Sequence, residues 1–186
     1  LEKSVVSTDQ ILNAIHGTTL VANTIIERNG ALTGLITTKG FRDALEIGRE
    51  GRYDIYDLFL ELPKPLAPRH LRVEVTERLD PNGVVLIPLE EEDLRSAVDR
   101  LIHEGVKAVA VSLIHAFRNP EHEKRIKAHL ERIQPDLSVS ISSEVVPEIR
   151  EYERTSTTTA NAYVQPVVSR YLIRLEDRLS ELGLKG

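Results

Sequence analysis

The chain has 186 residues, a formal net charge of −5, 41% hydrophobic and 28% charged residues, and neither cysteine nor methionine. This is the balance of a folded globular protein, and it excludes a disulfide framework, a thiolate zinc site and a cysteine nucleophile. Lys and Arg are scattered among acidic neighbours, and no apolar stretch is long enough for a bilayer span or a secretory leader. The expected partners therefore include neither nucleic acid nor membrane, and the expected location is cytoplasmic.

The length suits one domain, residues 1–186, and the missing initiator methionine reads as a processed chain or an excised domain. Four stretches differ in texture: a first α/β segment over 1–50, a Pro-rich connection and hairpin over 51–89, a βαβ-type unit over 90–145, and C-terminal helices over 146–186.

In chain order, 8–15 suits a short helical turn or the start of a strand. Leu20 to Arg28 reads as a helix with Val21, Ile25 and Ile26 on one face, stopped by Asn29-Gly30. Leu32 to Thr37 is a short apolar strand, and Phe41 to Gly48 is helical after the turn at Thr38-Lys39-Gly40. The segment from Tyr53 to Arg69, with Pro63, Pro65 and Pro68, suits an irregular docked connection. Leu71 to Leu79 alternates like a half-exposed strand. Asp80-Pro-Asn-Gly83 turns it into Val84 to Ile87, a β-hairpin. Glu90 to His103 is a helix with an acidic first turn and an apolar stripe at Leu94, Val98, Leu101 and Ile102. Val106 to Ile114 is apolar and β-branched, the mark of a strand buried on both faces. Asn119-Pro120 starts a helix to Ile133 with Ile126, Leu130 and Ile133 inward, and Leu137 to Ile141 is a further strand. These elements predict an α/β fold: a mixed, largely parallel sheet flanked by helices, with a β-hairpin excursion. From about Pro147 to Leu182 the chain is helical, with Pro166 expected to kink or split it. Leu172, Leu175, Leu179 and Leu182 form a row suited to core packing or a helix pair.

Residues 144–154 pack four carboxylates and two arginines, and Thr155-Ser-Thr-Thr-Thr159 follows, a poor helix former. A ligand-binding surface or an interface explains that combination better than propensity does. For Glu148, Glu151, Glu153, Arg150 and Arg154 the choice lies between an acid/base site and a surface salt-bridge ladder. His16-Gly-Thr-Thr19 has the form of a turn that cradles phosphate or carboxylate, or Thr19 is a plain N-cap. His115 closes a buried strand at the edge where ligands bind parallel sheets, with a structural histidine as the alternative. No histidine pair has metal-ligand spacing, so no metal residues are assigned.

Taken together, His16-Gly-Thr-Thr-Leu-Val-Ala-Asn-Thr-Ile-Ile-Glu-Arg28, Leu35 to Arg49, Ser112 to Glu123 and Ser142 to Pro166 resemble the N-terminal region of the hydantoinase A/5-oxoprolinase family. The resemblance runs in order through nearly the whole chain. It implies part of an actin/Hsp70-like ATPase fold in a large subunit that works with a B-type subunit or domain. Such subunits use ATP, with Mg²⁺, to open a cyclic amide such as hydantoin or 5-oxoproline, or to activate a ketone in the carboxylase branch. His16, Gly17, Thr18 and Thr19 would then line the phosphate side, and Glu148, Arg150, Glu153 and His115 the substrate cleft. The family's Asp-x-Gly-Gly-Thr strand and later glycine-rich motifs are absent from these residues. The piece alone is therefore expected to be inactive, with no cofactor bound. The rival reading is a non-catalytic module whose Glu148 to Thr159 face docks the remaining lobe or the B-type subunit.

Overall fold

In the computed structural model, residues 15–51 and 56–183, together with 11, 13 and 54, are described. Most of the expected 8–15 element, and Tyr53 at the start of the Pro-rich connection, lie outside the described residues. Four parallel strands form the main sheet in the order β2–β1–β5–β6: β1 (Thr33–Thr38), β2 (Arg72–Val75), β5 (Ala108–Ser112) and β6 (Ser138–Ile141). The antiparallel pair β3 (Arg78–Leu79) and β4 (Val85–Ile87) stands apart from it. This is an α/β architecture with a parallel sheet between helices, consistent with a piece of an actin-like lobe.

The two faces of the sheet are chemically different, and the difference sets the packing. One face carries Ile36, Val73, Val75, Val109, Val111 and Ile141 in a single apolar core with Leu94, Ala97, Val98 and Leu101 of α3 (Glu91–His103) and Ile126 and Leu130 of α4 (Glu121–Ile133). Here Gly34 matters, because a Cβ on it would lie 2.8 Å from Leu101 Cδ2 of α3. The opposite face is built of small and hydroxyl side chains: Ala108 and Ala110 pack with Leu35 and Ala162. Ser138, Ser140 and Ser112 lie on the same side, where Gln165 Oε1 accepts from both Ser138 (2.8 Å) and Ser140 (3.1 Å). Across it lies α6 (Glu151–Glu181).

That pairing accounts for the threonine run. Thr155, Thr158 and Thr159 are buried between α6 and the sheet. The Thr158 and Thr159 hydroxyls donate to the carbonyls of Arg154 and Thr155, each at 2.7 Å, so a polar side chain enters the core with its hydrogen bond made. The run is thus core-facing over most of its length and not an open working surface. Tertiary packing overrides the poor propensity.

Several expectations are corrected. The helix α6 passes through Pro166 without splitting, since Ala162, Tyr163 and Val164 just before the proline are buried against the body. Its leucine row is not core, for Leu172 and Leu182 are exposed. The stretch 71–79 is not one half-exposed strand. Residues 72–75 join the main sheet, with even Arg72 buried, and only 78–79 pair in the hairpin. Helix α1 (Leu20–Ile26) leaves Val21 and Ile26 exposed, and the left-handed residue that ends it is Arg28, not Gly30. Only one turn, α2 (Ala44–Ile47), forms in the Phe41–Gly48 stretch, and Ile133 ends α4 exposed.

In the hairpin turn the Asp80 carboxylate accepts the backbone N–H groups of Val84 and Asn82, both at 2.8 Å. The Val84 bond is the largest influence holding that carboxyl below its ordinary value. A carboxyl with a lowered folded pKa contributes stability that is present above its ordinary pKa and lost as pH falls through the lowered one. The turn is therefore expected to loosen in that acidic window. Val84 and Asn82 amide NMR shifts should move together there and stay still in Asp80→Asn.

Candidate functional site

The carboxyl ends of parallel strands are where ligands bind in open α/β sheets, and here that edge is a buried polar network. At the end of β1, the Thr38 hydroxyl donates to Glu77 Oε1 and accepts the Ile114 N–H at 3.0 Å. Glu77 Oε2 meets His122 Nδ1 of α4 at 2.8 Å, with both side chains buried. After β5, the Leu113 N–H reaches Glu123 Oε1 at 2.9 Å. After β6, the Ser142 hydroxyl donates to the same oxygen at 2.6 Å and the Ser143 N–H to Oε2 at 2.8 Å. Ser142 in turn accepts from Arg154 Nη1 at 2.9 Å, so one hydroxyl bridges a carboxylate and a guanidinium. Here α5 (Ser142–Val145) is the single turn that carries the two serines.

Burial pushes the Glu123 carboxyl above its ordinary value, opposed by the Ser142, Leu113 and Ser143 donors. Burial likewise lowers the Arg154 guanidinium, and the Glu123 charge works against that. Beside Arg154 stands the Phe117 ring, 5.7 Å from its guanidinium carbon and 5.6 Å from that of Arg118. His115 meets the same ring edge-on at 6.0 Å, and its backbone is left-handed (φ 57°). Positive φ in a non-glycine residue is uncommon, and such strain gathers at functional sites. Asn119 Nδ2 donates to the Gly83 carbonyl at 2.9 Å, so the hairpin turn braces this loop. Gly83 has a left-handed backbone (φ 87°), and a Cβ on it would sit tightly, 3.2 Å from that of Arg118.

The expected site residues fall in separate places. His115 is in the network's loop. Arg150 (φ 89°) and Glu148 are exposed just before α6. Glu153 pairs with Arg49 Nε at 2.8 Å, and Arg49 and Tyr152 line an open cleft of about 1020 Å³ together with 45–48, Pro63 and Arg72. At the other end of the sheet, His16 Nε2 is hydrogen-bonded to Tyr171 of α6. Thr155 lies beside Ser112 at the carboxyl edge, and Tyr171 is sixteen residues further on, about 24 Å along a helix axis. Thr18, not Thr19, uses its hydroxyl on the first backbone amide of α1, accepting the Leu20 N–H at 3.1 Å, while the Thr19 hydroxyl accepts from the Asn23 side chain at 3.4 Å. Arg154 belongs to the charged run that the sequence offered as an acid/base site or a salt-bridge ladder, and Ser142 opens the same block. Glu123, Thr38 and Glu77 are the members that sequence reasoning missed, and burial of Arg154 beside Glu123 was not foreseen either. A signal existed for both: Glu123 is in phase with Ile126 and Leu130, and Arg154 with Thr158 and Ala162.

Residues 1–134 match the family model described as the hydantoinase/oxoprolinase N-terminal region. The caprolactamase subunit alpha of Pseudomonas jessenii is 41% identical over 91% of this chain and 25% of its own length. The 5-oxoprolinase of Saccharomyces cerevisiae is 34% identical over 88% of this chain and 15% of its own. The crystal structure of ATP-dependent caprolactamase from Pseudomonas jessenii is similar with a TM-score of 0.87 at 40% identity, covering 92% of this chain and 25% of that one. Nucleotide-free acetone carboxylase follows at 0.78 and 30%, covering 91% and 25%. The chain spans about a quarter or less of the length of these relatives.

Proposed function

The chain belongs to the hydantoinase/oxoprolinase family, and from that premise we propose that it is the N-terminal part of a cytoplasmic, ATP-dependent enzyme that opens a cyclic amide of the hydantoin, 5-oxoproline or lactam type. The observation that carries the reading is the network at the carboxyl edge of the sheet. There Arg154, Ser142 and Glu123 are locked together under the strained His115 loop. Among the described residues no helix is long and apolar enough to cross a membrane.

The cofactors of that reading are ATP and Mg²⁺. The His16–Thr19 turn fits phosphate oxygens in part: among the described residues nothing lies within 4 Å of a Cβ on Gly17, while the Thr18 hydroxyl accepts the Leu20 N–H and the exposed Thr19 hydroxyl accepts from Asn23 Nδ2. The turn carries no carboxylate, and no Mg²⁺ ligand is assigned to it. When bound, ATP would supply the activation that opens the amide carbonyl to hydrolysis. The part of this chain's own residues is to orient: Arg154 and His115 at the edge, with Glu148, Arg150 and Glu153 beside the start of α6.

A second reading, docking of the remaining lobe or a B-type subunit, is favoured by the exposed Leu172 and Ile173 on the second half of α6 and Leu182 just beyond its end. The test uses the full-length protein with Mg·ATP and, separately, hydantoin, 5-oxoproline, caprolactam, or acetone with bicarbonate. ATP-dependent ring opening is expected. A carboxylated ketone would move the protein to the carboxylase branch, and no turnover of either kind would favour docking. His115→Asn keeps a residue that tolerates left-handed backbone. It is expected to lower kcat about 10²-fold, the scale on which a misplaced reactant costs rate, at unchanged Tm. An unchanged kcat takes His115 out of the reaction.

A further inference from the structure

We propose that Arg154, Arg118 and His115, gathered around Phe117 at the carboxyl edge of the sheet, form a subsite for one oxyanion group, a phosphoryl or a carboxylate. The argument begins with charge. Arg154 is 1% exposed, yet among the described residues it forms no direct ion pair, and the nearby carboxylate of Glu123 is reached only through Ser142. Buried charges are ordinarily paired, because desolvating a guanidinium without a counter-ion is costly. The obvious internal counter-ion is already occupied: the Glu123 oxygens accept from Leu113, Ser142 and Ser143.

Unsatisfied donors supply the second observation. Among the described residues, Arg154 Nε is buried and without a hydrogen-bond partner, as are His115 Nδ1 and the hydroxyl oxygen of Ser143, next to Ser142. Groups left orphaned in a folded protein call for an explanation, and three of them around one edge share one. Their chemistry is that of donors to an anion.

The third observation is access. Arg118 is exposed, Phe117 and His115 are half-buried, and the two arginines both lie within 6 Å of the Phe117 ring. The ring holds the two cations close without neutralising them, a cation–π arrangement. An oxyanion entering past Arg118 would meet the exposed guanidinium first and the buried one behind it. Guanidinium forks suit both phosphate and carboxylate oxygens. The hairpin turn braced on Asn119 keeps the loop in place before the ligand arrives.

This inference rests on the reading above only in the choice of edge. Binding is measured with neither nucleotide nor cyclic amide present, so it stands or falls even if the protein opens no ring. Isothermal titration of the full-length protein with inorganic phosphate, and separately with acetate, is the experiment. Saturable binding of at least one probe is expected, weakened about tenfold or more in Arg118→Gln, a surface change that leaves the core intact. Arg154→Lys should weaken it too, since an ammonium lacks the fork. Tighter phosphate identifies a phosphoryl group and tighter acetate a carboxylate. No saturable binding of either probe, or affinities unmoved by both variants, overturns the proposal.

Discussion

Replacing Glu123 by Leu is expected to destabilise the protein by about 3–5 kcal/mol, the scale of leaving several buried hydrogen-bond donors without their acceptor. Three donors lose their acceptor at once: the N–H groups of Leu113 and Ser143 and the Ser142 hydroxyl. Each buried group left unmade costs about 1–3 kcal/mol before relaxation. Arg154 then stays in the interior without its nearest anion. Urea unfolding, with the midpoint shifted and the slope unchanged, reads the effect as stability and not as altered compactness. The double variant Glu123→Leu, Arg154→Met separates two accounts. If the cost comes from an uncompensated guanidinium, the double variant should be more stable than Glu123→Leu alone. If the two changes simply add, Glu123 acts only as an acceptor for the strand-end amides, and the coupling to Arg154 is refuted.

Much of the fold was legible because its strongest elements carry unmixed signals. The β-branched run around 106–114 and the stripe Leu94, Val98, Leu101 lie where burial alone decides the structure. The elements misread are those where one stretch serves two neighbours. Residues 71–79 alternate, as a half-exposed strand would, but Arg72 is buried. Its Nε donates to the Ala67 carbonyl and its Nη2 to Glu46, each at 2.9 Å. Those two bonds hold one polar position of the alternation inside the protein, so period two did not mean exposure there. The threonine run failed for a related reason, since hydroxyls that back-bond within the helix can fill a core.

The site was less legible than the fold. His115 was found because its place at the end of a buried strand is a topological fact. Glu123 and Arg154 are long-range partners, and no local pattern says that residues 113, 123, 142 and 154 will meet. What the sequence did contain was an anomaly, a charge in phase with an apolar or small-residue stripe on each of two helices. A buried charge of that kind needs a partner from elsewhere in the chain.

Gly30→Ala is expected to cost about 3 kcal/mol, at the upper end of ordinary overpacking. A Cβ on Gly30 would lie 2.2 Å from Tyr163 Cε1 and 2.4 Å from Cδ1, distances no pair of carbons sustains. The ring cannot simply swing aside. Tyr163 is 7% exposed, and its own carbonyl accepts the Ala31 N–H at 2.9 Å, which fixes helix and strand entry to each other. Relief would have to come from moving α6 off the small-residue face of the sheet, the surface on which Ala108, Ala110 and Ala162 pack. Gly105 is the useful contrast: its φ is +73° but nothing lies within 4 Å of a Cβ there, so Gly105→Ala meets backbone strain alone, about 1 kcal/mol. A second substitution, Tyr163→Leu, removes the ring atoms in question. Chemical denaturation of both single variants and the double then closes a cycle, with a coupling of about 1 kcal/mol or more expected between positions in contact. Additive effects, or a Gly30→Ala variant as stable as Gly105→Ala, would mean that the contact between Gly30 and Tyr163 does not hold α6 against the sheet.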